Sequence, residues 1–290
     1  MGMAEHGCER VATAWTPAPC RPYRKHTAFD KDAGRRWESM IKLLGRLAVT
    51  DAGGRAIKVR AARQQAILAV LVLCQDEVIT IDRLVSELWQ DEPPVTAKES
   101  LRTYVYRLRR ALSPLAADGV DLVTVGNGYT LAVPDRAVDV RAFESAVAKG
   151  VDALTEGDAR LAAAMLRGAL AVWRGPVAPE IDVELVCDER RRLDDLHVTA
   201  RELYVEAELR LGHHNRAIPE LERLVEAHPL REASWGMLLR ALAARGRRAE
   251  ALAAYRRLRA VLSAELGVEP ADELRRQHQA ILKGEVGSMR

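Results

Sequence analysis

Cysteine is scarce in this sequence. Its four cysteines, Cys8, Cys20, Cys74 and Cys187, lie far apart among 290 residues and form no CxxC pair. Structural zinc sites and thioredoxin-like redox sites use closely spaced cysteines, so we expect neither zinc nor a disulfide framework. The pattern is typical of reduced thiols in a cytoplasmic protein, and we expect no metal and no cofactor.

Long apolar runs are also missing. No stretch of 18 or more apolar residues occurs, and such a stretch is the usual mark of a transmembrane helix. The first residues lack the apolar segment of a secretory signal. We therefore expect a protein that has no membrane partner.

Catalytic signatures are absent as well. The sequence contains no GxxxxGK[ST], HExxH or GxSxG pattern, so nothing indicates a phosphate-binding loop, a zinc hydrolase or a nucleophile elbow. His213 and His214 are adjacent, so their side chains point apart, and no carboxylate or cysteine follows at ligand spacing. We expect no enzyme activity.

The charges of the whole chain are nearly balanced, but one short segment has a clear excess of positive charge. The net charge is only +3, yet residues 98–112 hold five basic residues against Glu99 alone. Charge concentrated in this way favours a local anion-binding surface. The five are Lys98, Arg102, Arg107, Arg109 and Arg110.

The region 40–137 predicts strands, three helices and a hairpin. Two strand-like pieces flank the turn DAGG, two prolines interrupt the chain between the second and third helices, and Gly126-Asn127-Gly128 is a hairpin signal. Thr80 is placed to cap the second helix. The predicted strands are Ile41–Val49 and Arg55–Val59, the helices are 63–75, 80–89 and 97–112, and the hairpin is 121–133.

The region 138–284 predicts helices throughout. Gly157, Gly212 and Gly246 are each followed by alanine five residues later and by a larger apolar residue after four more, and the last two lie 34 residues apart. That period is typical of tetratricopeptide-like helix pairs, although chance recurrence in an alanine-rich chain stays open. We expect residues 1–39 to be a disordered basic arm, either irrelevant or adding phosphate contacts, and 285–290 to be a tail.

The helix at 97–112 divides into two faces when its residues are placed at 100° steps. Six apolar residues fall in one arc, the predicted core face, and Arg102, Thr103, Tyr106, Arg107 and Arg110 form the opposite side, here called the reading face. A solvated basic surface is one interpretation. The following glycine-tipped hairpin favours another, a winged helix-turn-helix. The core-face residues are Leu101, Tyr104, Val105, Leu108, Ala111 and Leu112.

A resemblance to a known family becomes specific at these residues. The stretches LLGRLAV, RQQAILAVLVL, VITIDRLVSELW, LRTYVYRLRRAL, GYTL and VDVRAFE resemble the OmpR-type winged helix-turn-helix of the Streptomyces antibiotic regulatory protein family. The stretches ALAVWRGP, RRRLDDL and HPLREASWGMLLRALAARGRRAEALAAYRRLRAVLSAELGVEP resemble that family's bacterial transcriptional activation domain. The resemblance spans roughly 41–283. It implies a mainly α fold with small β-sheets, a winged domain over 40–137 and an all-α tetratricopeptide-like domain over 138–284.

The resemblance implies a role for particular residues. The third helix would enter the major groove, with Arg102, Thr103 and Arg107 at base edges. Arg60, Arg63 and Thr80 lie near the starts of the first two helices, where they would hold phosphates. The alternative is that they are ordinary capping and surface residues. The wing lacks the arginine common in OmpR-type relatives. The full set of expected phosphate or rim contacts is Arg60, Arg63, Thr80, Lys98, Ser100, Tyr106, Arg109, Arg110 and Asn127.

The resemblance also implies a function. It indicates an activator of a secondary-metabolite (antibiotic) gene cluster that binds tandem direct repeats near the −35 element as a homodimer, within the nucleoid. The loop after the second helix would face the sigma subunit of RNA polymerase, or would be a plain connector. The alpha or beta subunit of the polymerase is a further expected partner. A helical-repeat scaffold with a degenerate winged domain is the alternative. The residues assigned to that loop are Trp89, Asp91, Glu92, Pro93 and Pro94.

Overall fold

The computed structural model describes residues 40–75, 77–90 and 92–285. The predicted arm (1–39), Asp91 and nearly all of the predicted tail lie outside these ranges. Within them the chain is mainly helical with small antiparallel sheets, which confirms the predicted fold class. No helix of the described ranges is both long and apolar enough to cross a membrane.

The first sheet has three strands in the order β1-β2-β3, all antiparallel. The prediction of one strand over Ile41–Val49 is wrong. Gly45 has a φ of +115°, outside the strand region, and the amides of Leu43 and Leu44 bond to a distant carboxylate instead of a neighbouring strand. The strands are β1 Ile41–Lys42, β2 Ala48–Thr50 and β3 Ala56–Ile57.

Three helices and a second sheet follow. The hydroxyl of Thr80 accepts a hydrogen bond from the amide of Arg83 at 3.2 Å, so the predicted cap of the second helix is confirmed. A short strand, β4, joins the hairpin to give the order β4-β6-β5. The helices are α1 Ala62–Leu73, α2 Ile81–Trp89 and α3 Ala97–Leu112, and the strands are β4 Ile79–Thr80, β5 Asp121–Val125 and β6 Gly128–Ala132.

Helix α1 is buried on nearly every side. Nine of its twelve residues are buried, because α2 and α3 pack on it from within the winged segment (40–137). Helix α6 (Glu184–Arg210) packs on it from the helical segment (138–284). One hydrophobic cluster accordingly includes Ile67 and Leu71 of α1 together with Val186 and Leu193 of α6. The two segments share a core.

The helical segment consists of seven α-helices, each of which packs on the next. Gly157, Gly212 and Gly246 have φ values of +85°, +77° and +72°, and each lies at a turn between two helices, as predicted. A Cβ on Gly150 would lie 2.6 Å from Leu166, so glycine allows α4 and α5 to approach closely. The helices are α4 Asp139–Thr155, α5 Ala159–Val172, α6 Glu184–Arg210, α7 His214–Ala227, α8 Glu232–Ala244, α9 Arg248–Leu266 and α10 Asp272–Lys283.

Gly128 lies where the hairpin pairs with β4, and the two backbones are close together there. We expect Gly128→Ala to lower the free energy of unfolding by about 1–3 kcal/mol. A Cβ there would lie 2.6 Å from the carbonyl oxygen of Ile79 and 2.8 Å from Val78, and the backbone atom has little room to move. Urea unfolding measures the change. In contrast, Gly168→Ala should stabilise by about 0.4–1 kcal/mol, since that helical glycine has no atom within 4 Å of the added carbon. Equal stability of Gly128→Ala and the native protein would contradict this account.

Candidate nucleic-acid interface

Helix α3 is held by its apolar side. Leu101, Val105, Leu108 and Leu112 are buried against α1 and α2. Their spacing of three and four residues places them on one side of a helix. The predicted core face is confirmed for these four residues, and its two other members, Tyr104 and Ala111, are half-buried at its edges.

The reading face is exposed along its whole length. Arg102, Thr103, Tyr106, Arg107 and Arg110 are all exposed, and Tyr106 keeps 61% of its surface accessible. The hydroxyl of Thr103 donates a hydrogen bond to the carbonyl of Glu99 at 3.0 Å. With its hydroxyl committed to the helix, Thr103 offers its methyl group to a ligand. The result is a convex cationic surface that carries one aromatic ring.

Arg109 is turned away from this surface toward the hairpin. Its Nε donates to the carbonyl of Leu122 at 2.7 Å and its Nη2 to the hydroxyl of Thr124 at 2.6 Å, both on β5. Its guanidinium carbon also lies 5.8 Å from the ring centroid of Tyr129 on β6. The structure therefore places Arg109, expected as a phosphate or rim contact, between α3 and the wing.

The wing is the β5–β6 hairpin with its two-residue tip. Gly126 has a φ of +54°, which suits glycine at a tight hairpin turn. Asn127 is exposed, and its carbonyl accepts a hydrogen bond from the amide of Ile81, the first residue of α2. The wing tip is thus attached to the start of α2, with the Asn127 side chain at the surface.

The other expected phosphate contacts lie at or near the starts of helices α1, α2 and α3. Lys98 is exposed and its ammonium lies 2.8 Å from the carboxylate of Asp82 on α2, an exposed pair that contributes little to stability. Arg60 is exposed just before α1. Ser100 is half-buried in the first turn of α3, and Thr80 caps α2 as described above.

The segment between α2 and α3 exposes polar and apolar side chains together. Glu92, Pro93 and Pro94 are exposed, and Val95 is fully exposed. Trp89, in contrast, is the last residue of α2 and not part of the loop. Its half-buried ring stacks at 6.4 Å on Tyr104, and the guanidinium of Arg63 lies 5.1 Å from its centroid.

A buried carboxylate that the sequence did not single out fixes the winged segment to the helical one. Asp139 is 3% exposed and accepts hydrogen bonds from the amides of Leu43 and Leu44 at 2.7 and 3.0 Å. Arg174, from the loop after α5, adds an ion pair at 3.0 Å. Burial raises the pKa of Asp139, while these three donors oppose the rise.

Two further contacts join the same segments. The amide of Leu185, at the start of α6, donates to Glu87 of α2 at 3.2 Å, and burial raises the pKa of that carboxyl. The amide of Leu47 donates to Glu180 at 2.8 Å. The partners of these two contacts lie 98 and 133 residues apart in sequence, separations that no local pattern could have indicated.

Comparison with known proteins places this architecture among transcriptional regulators. Residues 57–131 match the family described as "Transcriptional regulatory protein, C terminal", and residues 138–282 match the "Bacterial transcriptional activator domain". Regulatory protein DnrI of Streptomyces peucetius is 33% identical over 85% of this chain and 93% of its own length. Regulatory protein AfsR of Streptomyces coelicolor is 35% identical over 80% of this chain, but over only 23% of its own.

A solved structure shows the same arrangement. Transcriptional regulatory protein EmbR of Mycobacterium tuberculosis is 35% identical over 83% of this chain and 62% of its own length. Its structure in complex with a low affinity phosphopeptide superposes with a TM-score of 0.79 at 33% identity, covering 85% of this chain and 65% of that one. The chain thus spans somewhat less than two thirds of EmbR.

Proposed function

Because this chain belongs to the Streptomyces antibiotic regulatory protein family of transcriptional regulators, we propose that it is a sequence-specific DNA-binding activator of a secondary-metabolite gene cluster. It binds tandem direct repeats near the −35 element as a head-to-tail homodimer and recruits RNA polymerase. It acts in the cytoplasm, at the nucleoid.

The observation that carries the proposal is the exposed reading face on a helix whose other side is buried. The major groove of B-DNA admits one α-helix, and α3 is held by its apolar side, which leaves its cationic side free to enter. Arg102 and Arg107 suit guanine O6 and N7, and the outward methyl of Thr103 suits a thymine methyl. These three side chains read bases.

The surrounding polar groups position the helix without reading sequence. Arg60, Arg63, Lys98 and Arg110 supply cationic groups to phosphates. Thr80 and Ser100 lie at helix starts, where backbone amides favour phosphate. Tyr106 and Asn127 contact the rim of the groove.

The exposed loop after α2 faces RNA polymerase. Glu92 and Asp91 supply acidic groups for a basic patch on the sigma subunit, and the fully exposed Val95 adds an apolar contact. Trp89 supports this loop from inside the fold through its stack on Tyr104. The helical segment contributes dimer contacts and reaches the alpha or beta subunit.

Footprinting of the purified protein on the promoters that flank its gene tests the proposal. We expect protected direct repeats whose centres lie about one helical turn, roughly 10–10.5 base pairs, apart. A mobility shift at two salt concentrations accompanies it. Absence of both protection and a salt-sensitive shift would favour a helical-repeat scaffold that binds protein only.

Arg107→Ala is expected to weaken binding to the operator by about 1–3 kcal/mol and to relax the preference at one base pair. The reason is the loss of a bidentate contact to one guanine. Fluorescence anisotropy with a panel of operators, each changed at one position, measures both effects. Arg256→Ala, an exposed arginine on α9, is the matched control and should bind like the native protein. An unchanged preference at every position would remove Arg107 from the base-reading set.

A further inference from the structure

We propose that Arg109 is a positioning residue that fixes the angle of the wing against α3, and that it does not hold a phosphate. The inference rests on the proposed DNA-binding function and sharpens it. One of the four arginines of α3 would then hold the parts of the interface in place and would not contact DNA.

The contacts of Arg109 match the shape of a guanidinium. Two of its nitrogens, Nε and Nη2, reach two acceptors on one strand, the carbonyl of Leu122 and the hydroxyl of Thr124. A guanidinium presents its donors in a fixed planar fork, whereas the ammonium of lysine is a single point charge. Placing this fork also fixes the direction of β5 relative to α3.

The strand that Arg109 holds is anchored at one end only: Leu122 is buried in the core, whereas Thr124 and Val125, next to the tip, are exposed. Among the described strands, β5 lies at the edge of its sheet and pairs with β6. The wing tip follows directly after β5, with Asn127 three residues beyond Thr124. A hairpin joined to α3 at Thr124 therefore moves as one piece with the helix. Without this attachment, the exposed end of β5 at Thr124 loses its side-chain link to α3 and keeps only its pairing with β6 in this part of the described chain.

The charge distribution makes the two roles distinguishable. Residues 119–135 contain no lysine or arginine, so the wing carries no cationic phosphate contact of its own. Losing wing contacts should lower affinity without changing how many counterions are released. Losing a phosphate ligand should reduce the slope of log K against log salt by about 1.

The test compares Arg109→Lys, Arg109→Gln and Thr124→Val in the full chain by mobility shift across a salt series, with hydroxyl-radical footprints. We expect all three to weaken operator binding, each on the order of tenfold, with an unchanged salt slope and with protection lost only on the wing side. Arg110→Gln, the exposed neighbour, should instead lower the slope by about 2, since one phosphate contact is lost from each of the two bound copies.

Native-like binding by Arg109→Lys, together with a reduced slope for Arg109→Gln, would overturn the inference and return Arg109 to the phosphate contacts. Native-like binding by Thr124→Val would overturn it as well. Thermal unfolding of each variant separates a displaced wing from an unfolded chain, and Thr124→Val leaves every charge in place. If the native protein itself shows no salt-sensitive shift, the proposed function fails and not this inference alone.

Discussion

Asp139→Ala is expected to lower the free energy of unfolding by about 2–6 kcal/mol. The substitution leaves two buried backbone amides, those of Leu43 and Leu44, without an acceptor, and each orphaned amide costs about 1–3 kcal/mol. We attribute no further loss to Arg174, because its side chain is 42% exposed and can turn into water. Urea unfolding followed by circular dichroism measures the change.

The control for this experiment lies on the same helix. Asp152 is an exposed carboxylate of α4, and Asp152→Ala should stay within about 0.5 kcal/mol of the native protein. If both alanine variants unfold at the same urea concentration, the carboxylate of Asp139 does not hold the first sheet to α4. Asp139→Asn tests the same point more gently, since its amide keeps one acceptor oxygen.

Raising the salt concentration from 50 to 200 mM is expected to weaken operator binding by about 10³–10⁵-fold. That range corresponds to six to ten phosphates neutralised by the bound protein. Two head-to-tail copies that each present Arg60, Arg63, Lys98 and Arg110 supply such a number. Anisotropy titrations at four or five salt concentrations give the slope. A loss of less than about tenfold across the range would show that phosphate contacts are not the main source of affinity.

Variants that lack one arginine show how much that arginine contributes to the salt slope. Arg110→Ala should reduce it by about 2, one contact from each bound copy, and weaken binding to all sequences alike. Arg256→Ala removes the same charge from α9, outside the interface, and should leave the slope unchanged. Equal slopes for the two variants would mean that the reading face does not contact phosphate through Arg110.

Much of the architecture was predictable because it follows from local patterns. The spacing of Leu101, Val105, Leu108 and Leu112 indicates the buried side of α3, and therefore its exposed side. The hydroxyl of Thr80 and the glycines of the hairpin mark element boundaries through short-range chemistry. The positive-φ glycines at 157, 212 and 246 mark the turns between helix pairs.

The remaining features depend on partners that are distant in sequence. The helical wheel puts Arg109 beside the reading face, but its rotamer is decided by β5, which begins nine residues after α3 ends. The break in the first predicted strand has a similar cause. Its amides are taken by Asp139, 95 and 96 residues away, and the alternating pattern of Ile41–Val49 contains no sign of this.

Because α1 and α6 share a core, the helical segment is rigidly attached to the winged segment and is not joined to it by a flexible linker. On DNA, a rigidly attached helical segment lies on one side of the duplex, and the position of the operator decides which side. Moving the operator by about five base pairs, half a turn of the double helix, would place the helical segment on the opposite side. A tethered domain would tolerate the same shift. Under the proposed function, we therefore expect activation to depend on the angular phase between operator and promoter.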